Sequence, residues 1–541
     1  MKANDSDLDF DWLVIGSGFG GSVSALRLAE KGYSVGVLEC GRRFADDELP
    51  RSTWDLRRYF WSPRIGLRGI FRLTYFRDVS IVSGCGVGGG SLGYANTLYV
   101  PPSRFFEDPQ WSGLGDWQDD LAPHYDEAQR MLGVVDCDDS GDPAADLLRQ
   151  FGEELGVGDT YSPTRVGVFL GEPGKTVPDP YFGGEGPPRT GCISCGRCMV
   201  GCPHGAKNSL VKNYLWLAER RGVDVMPERQ VVDVRPRGAA GGSDGYLVTT
   251  ERPGAWVRTR RQVHSARGVV VAAGALGTNG LLANCRHSGS LPALSPRLGE
   301  LVRTNSEAIL AVTAPDDSVD YTKRVAITSS VYPDPDTHIE TCIYGHEGGA
   351  IKNLYTLLVG DGTRVTRPLK LLATLARHPR RLMRLLLSPG WSRRTIILLV
   401  MQTLDNAIAL RPKPKRGGGV RLQTEQDPER PIPTFIPVAN QAAEWFADRI
   451  GGIAQSSTGE ALWNIPSTAH ILGGAVIGAD PEQGVVDRDQ RVFGYENLLV
   501  CDGSAVPANP GVNPSLTITA LAEHAMAHVP AKDAPAVASA A

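Results

Sequence analysis

Several stretches of the chain are apolar without alternation, as expected of parallel strands buried on both faces. DWLVI (11–15) and SVGVLE (34–39) are the first two. Between them SVSALRLAEKG places Ala25, Leu26, Leu28 and Ala29 on one helical face and Gly32 at its end, so the order reads strand, glycine turn, helix, strand. RGVVVAAGALGT (267–278) and NLLVCDGS (497–504) predict two more buried strands, each running into a glycine turn. Leu516 to Ala525 predicts an apolar helix. These pieces of one doubly wound unit are scattered along the chain. They predict a discontinuous nucleotide domain over 8–100, 203–300 and 467–530. The second unit is then inserted as 101–202 and 301–466, and the tail 531–541 (AKDAPAVASAA) is expected to be disordered.

At 541 residues the chain exceeds one ordinary core, which agrees with two units. The net charge of −4 gives no general attraction to nucleic acid. The acidic run Asp5 to Asp11 leads at once into a buried strand, so no export signal is expected and a cytoplasmic setting is. No run is long enough to span a membrane. Of the ten cysteines, four crowd between Cys192 and Cys202, which points to metal or redox chemistry rather than a disulfide framework.

Gly16, Gly18 and Gly21 form a G-x-G-x-x-G turn between strand and helix, and Phe19 and Gly20 complete it. Such a turn lets backbone N–H groups and a helix N-terminus meet a pyrophosphate. Glu39 ends the second strand, where an acid binds ribose hydroxyls and repels a 2′-phosphate. A second run, GCGVGGGSLGYAN (84–96), has five glycines in seven residues, then Ser91 and Asn96. It suits close packing of Gly88, Gly89 and Gly90 against a flat ring system and its chain. Near the end, Asp502 and Gly503 close a strand, and Asn513 and Pro514 open the last helix, whose dipole could face a flavin pyrimidine.

GSGFGG with Glu39, GVGGGS, AAGALGT, HILGG and DGSAVPANPGVNPSLTITALAE, in that order and spanning nearly the whole chain, resemble the glucose–methanol–choline (GMC) oxidoreductase family, nearest its cholesterol-oxidase branch. The resemblance implies FAD and an α/β fold: a Rossmann-like FAD domain plus a substrate domain built on an antiparallel sheet. It adds Val232, Ala273 and Gly274 to the cofactor contacts. It also implies that His470 is the catalytic base and Asn513 its polar partner. Chemistry agrees, because alcohol oxidation needs a proton acceptor beside the group that takes the hydride. A lone His among apolar residues is otherwise more often a hydrogen-bonded core residue. Sterol oxidases of this branch also use a Glu to isomerise a double bond; Glu340, Glu347, Gln402 and Asp405 lie in the right region, but none matches a motif.

GCISCGRCMVGCPHG holds Cys192, Cys195, Cys198 and Cys202 before Pro203, the C-x2-C-x2-C-x3-C-P spacing of ferredoxin clusters. The options are a four-iron cluster, a three-iron cluster, a remote ligand such as Cys342, zinc, or thiols without metal. A cluster would favour an external electron-acceptor protein over oxygen. From Gly362 to Leu404 there is no acid and much Arg and Leu, so LLATLARHPRRLMRLLL reads either as a peripheral membrane contact or as a packed helix with a solvated basic face. The leading expectation is FAD-dependent oxidation of a small hydrophobic, sterol-like secondary alcohol to a ketone. The alternatives are an iron–sulfur flavoprotein dehydrogenase or reductase acting on a non-steroid substrate, and a flavin-binding protein without turnover.

Overall fold

A computed structural model describes residues 8–533 of the chain. Its first large sheet has the strand order Asp224–Met226, Val35–Leu38, Phe10–Ile15, Gln262–Val271, Tyr246–Glu251, Gln230–Pro236, with Leu498–Val500 also paired to Gln262–Val271. Phe10–Ile15 runs parallel to both neighbours, in register Ile15 to Leu38 and Ile15 to Val271. The long strand Gln262–Val271 does two jobs. Its first half pairs antiparallel with Tyr246–Glu251, while Val269, Val270 and Val271 pair parallel with Leu498, Leu499 and Val500. The expected strand 267–278 therefore stops at Val271, and a helix, Gly274–Ser288, begins where the glycine turn was read.

The second large sheet is antiparallel throughout, with the order Tyr355–Leu357, Ile453–Ser457, Ala308–Thr313, Thr395–Gln402, Thr337–Cys342, Ile327–Asp334, Ser162–Pro163. Strand alternation divides its residues. Leu310, Val312, Ile339, Leu398 and Val400 pack with helices Pro143–Glu154 and Pro437–Ile450. Ala311, Cys342 and Ile397, with Ile309 and Leu399 beside them, belong to the opposite face.

The insertion expected to begin at 101 does not leave the first unit there. Phe105, Trp111, Trp117, Leu121 and Tyr125 are buried in the same core as Val14, Leu26 and Val270, because helix Trp117–Leu132 packs on the last helix, Ser515–Ala527, which in turn packs on the first, Phe19–Glu30. The segment expected to be disordered from 531 is held at its start: Lys532 donates its amide to the Lys31 carbonyl at 3.0 Å and pairs with Asp11 at 2.7 Å. The remainder of that segment, 534–541, lies outside the described residues, as do 1–7. Among the described residues, no helix is long and apolar enough to cross a membrane.

Candidate active site

The glycine turn is forced by close backbone packing. Gly16 has φ of +103°, and a side chain there would strike the Ala272 carbonyl; one at Gly20 would strike the Cys501 carbonyl. Gly18 differs, because a Cβ there meets nothing within 4 Å. It caps the first helix without a side-chain bond, so the helix N-terminus keeps donors for an anion. Glu39, 5% exposed, accepts Ser17 N at 3.1 Å, Ser17 Oγ at 2.7 Å and Gly41 N at 2.7 Å, which anchors the acid beside the turn. Glu228 and Arg229 donate amide hydrogens to the Gly41 and Glu39 carbonyls, and Val232 follows three residues later at a bulge in its sheet edge.

The second glycine run folds as a 3-10 turn, Gly89–Leu92, tied to the first because Gly88 N donates to Ser17 Oγ at 3.1 Å. Gly90 faces open space short of Phe19, Ser91 accepts from Leu210 N at 3.0 Å, and Asn96 is fully buried with neither side-chain atom partnered. Asp502 is spent inside the protein. It accepts Gly274 N at 2.8 Å, Thr278 Oγ1 at 2.5 Å and Ser504 N at 2.8 Å, and so joins the Ala273–Gly274 turn to the Asp502–Gly503 turn. Open glycines, an uncapped helix start and an anchored terminal acid together fit the phosphates and ribose of a flavin dinucleotide.

His470 stands where three segments meet. Its Nδ1 contacts the Glu307 carboxylate, its Nε2 lies 3.5 Å from Asn513 Nδ2, and Asn305 Nδ2 is 3.5 Å from Nδ1. Glu307 is buried, and its other oxygen accepts Ala469 N at 2.9 Å. Asn305 is in the left-handed region, φ +60°, and ties the loops together: it donates to Val512 O at 3.0 Å and accepts from Gly511 N at 2.9 Å. A buried acid on Nδ1 holds the proton there and leaves the Nε2 lone pair facing Asn513. Asn513 Oδ1 is buried and unpartnered, available to a ligand hydroxyl.

Of Glu340, Gln402 and Asp405, the described residues weighed for isomerisation, Glu340 stands at this centre. Its carboxyl is fully buried beside Asn513 and Tyr99, and burial, only partly offset by these two neighbours, pushes its pKa up to about 8. It shares its sheet face with Ile309 and Leu399, Leu399 being its cross-strand partner. Gln402 bonds Thr337, Asp405 pairs with Arg303 and Arg430, and the Glu347 side chain lies outside the described residues. Sequence reasoning missed Glu307 and Asn305. Their only signal is an isolated TNSE just before the apolar strand AILAVT.

The four cysteines, with Asn96, Arg197, Lys207 and Arg324, line one small cavity, partly open to solvent. Lys207 is buried; it donates to the carbonyls of Leu92 at 3.1 Å, Tyr94 at 2.8 Å and Cys198 at 2.9 Å, joining the cysteine loop to the second glycine run. Cys342 does not line this cavity, whereas Cys137 packs against Cys192, Cys198 and Cys202.

Comparison with known proteins identifies the family. GMC oxidoreductase family models match residues 188–299 and 418–522. A cholesterol oxidase of Mycobacterium tuberculosis is 52% identical over 97% of this chain and 92% of its own length. A cholesterol oxidase of Acinetobacter baumannii is 47% identical over 97% and 95%. The structure of pyridoxine 4-oxidase from Mesorbium loti superposes with a TM-score of 0.61, at 15% identity over 96% of this chain and 99% of that one, a likeness of fold. The chain belongs to the GMC oxidoreductase family and is an FAD-dependent alcohol oxidoreductase.

Proposed function

We propose that this enzyme oxidises a hydrophobic, sterol-like secondary alcohol to a ketone, with His470 as the base. The observation that carries the reading is the placement of His470 between a buried carboxylate and Asn513. With Nδ1 protonated toward Glu307, Nε2 can accept the hydroxyl proton, while Asn513 orients the same oxygen. Bound FAD supplies the hydride acceptor. The names of the two cholesterol oxidase relatives, similar over nearly their full lengths, support a sterol-like substrate. So does the apolar sheet face of Ile309 and Leu399 beside Glu340. Ionised, the Glu340 carboxylate can take a proton from one steroid carbon, and its burial-raised basicity favours holding that proton until it is returned to another carbon, so we assign Glu340 to double-bond isomerisation. The test is anaerobic flavin bleaching by a panel of steroid and non-steroid alcohols, with wild type and His470→Ala. Bleaching by sterols that slows on the order of 10²–10⁴-fold in the variant supports the reading. Bleaching by no sterol would remove the substrate assignment, and an unchanged rate in His470→Ala would remove the base.

For the cysteine loop we propose an iron–sulfur cluster on Cys192, Cys195, Cys198 and Cys202. Zinc with bonds of about 2.3 Å needs sulfurs about 3.8 Å apart. No three of these sulfurs lie within 4.8 Å of one another, although all four face one cavity. A wider ring suits a polynuclear cluster, and Lys207 and Arg197 line the same cavity, Arg324 being already paired with Asp142. When bound there, a cluster would provide single-electron chemistry toward an acceptor protein. The exposed Arg and Leu of helices Thr366–Arg377 and Pro379–Leu386 support a peripheral membrane contact on the cytoplasmic side.

A further inference from the structure

The end of the last helix carries a cluster that the oxidation chemistry does not use. His524 and His528 are four residues apart, so they lie one turn above each other on one face of Ser515–Ala527 and its cap. One donor atom each from His524, His528 and Asp489 lie within 4.8 Å of one another. We propose that these three residues form a site for a divalent transition-metal ion of the zinc class, remote in sequence from the cysteine loop.

The donor set decides the class of ion. Two imidazoles and a carboxylate suit zinc, cobalt or nickel, whereas magnesium and calcium prefer oxygen alone. The carboxylate is already oriented. Arg491 Nη1 holds Asp489 Oδ2 at 2.7 Å, leaving Oδ1 3.7 Å from His528 Nδ1. The turn around it is fixed by Asp487, which accepts from Asp489 N at 2.9 Å and Arg491 N at 2.8 Å. Without metal, His528 Nδ1 donates to the His524 carbonyl at 2.9 Å, a bond that ligation through Nδ1 would replace. His524 is 3% exposed, and its Nδ1 has no hydrogen-bond partner, an unsatisfied group that a protein rarely buries without a ligand. His124 stands edge-on to His524 with ring centroids 5.4 Å apart and is the candidate fourth ligand. The nearby guanidinium groups do not stand bare: Arg488 is paired with Asp120 and Arg491 with Asp489.

The helix that would carry the ion begins directly after Asn513 and Pro514, so a metal at its far end would clamp it to the Asp487–Arg491 turn and stabilise the cofactor domain. The test uses full-length, FAD-loaded enzyme stripped by chelator and then given zinc chloride alone. Zinc retained after desalting is measured by mass spectrometry, and Tm is followed with and without zinc. Wild type, His528→Ala and Asp489→Asn are compared, all with the four-cysteine loop intact, so cysteine-bound zinc is common to every arm. Each variant should hold one equivalent less zinc than wild type at micromolar concentration and lose the zinc-dependent rise in Tm. Equal zinc content in wild type and variants would overturn the site, as would wild type without a zinc-dependent Tm. Zinc should also shield His528 of the wild-type enzyme from diethyl pyrocarbonate, read by peptide mass; equal modification with and without zinc would overturn it without reference to any variant.

Discussion

Glu307 and His470 meet as a buried carboxylate–imidazole pair: one Glu307 oxygen contacts Nδ1 of His470 and the other accepts the Ala469 amide at 2.9 Å. The acid sits just before a strand of the substrate sheet, and the histidine on a loop returning to the FAD domain. The pair therefore couples the registration of the two units to the tautomer of the base.

If Glu307 sets that tautomer, its isostere must fail. Glu307→Gln presents an amide, which can donate to Nδ1 and move the proton to Nε2, the wrong nitrogen for a base. Anaerobic flavin reduction by a cognate alcohol should slow by on the order of 10²–10⁴-fold in both Glu307→Gln and Glu307→Ala, with FAD retained. A Gln variant reducing at the wild-type rate would show that Glu307 only packs.

Glu340 makes stability depend on pH. Its folded pKa is raised by burial to about 8 from the ordinary 4.5, so between these values the folded protein holds a proton that the unfolded chain releases. The stability of the neutral form is present below pH 4.5 and lost as pH rises toward 8, at up to about 1.4 kcal/mol per unit. Glu340→Gln removes this loss. Relative to wild type, its Tm should be higher at pH 9 than at pH 5; parallel melting curves at the two pH values would refute the assignment.

The sequence revealed elements whose signal is local. Gly16, Gly18, Gly21 and Glu39 fall within one strand–turn–helix–strand unit, and each is needed there for backbone approach or charge. His470 and Asn513 were legible through resemblance to a family, since neither spacing nor periodicity distinguishes them. Glu307 and Asn305 were not legible, because their meaning depends on His470, which lies 165 residues beyond Asn305 in sequence. The same limit explains helix Trp117–Leu132. Its apolar face says that it is buried, but not that it is buried against the last helix.

Cys198 tests the cluster. Cys198→Ser in anaerobically purified enzyme should lose iron and acid-labile sulfide while keeping FAD. Flavin reduction by alcohol should persist, since His470 and Asn513 are untouched, whereas turnover with a one-electron acceptor should fall much further. Wild-type protein that contains zinc or no metal, with full turnover, would dismiss the cluster.

The basic segment divides into structural and unengaged arginines, which makes its membrane role testable. Arg367 is buried, bonding Asn464 at 3.0 Å, and Arg364 pairs with Asp78 at 2.8 Å, so both hold the fold. Arg377, Arg380, Arg381 and Arg384 are exposed and form no ion pair among the described residues. Around them Leu369, Leu372, Met383, Leu386 and Leu387 are each more than half exposed, at 51–70%, an arrangement that leaves apolar surface in water unless something covers it. An anionic bilayer offers both complements: headgroup charge for the arginines and acyl chains for the leucines. The two contributions separate by salt. At about 1 kcal/mol per cation near the surface, Arg380→Gln with Arg381→Gln should weaken binding to phosphatidylserine-containing vesicles by about thirty-fold at low ionic strength, with the difference shrinking as salt rises. Leu386→Ser with Leu387→Ser should weaken it at every salt concentration, since burial of apolar surface is not screened. Activity on detergent-solubilised alcohol should survive in both variants, because neither pair touches His470, Glu307 or Asn513. Loss of activity in detergent as well as on vesicles would return the segment to a purely structural role.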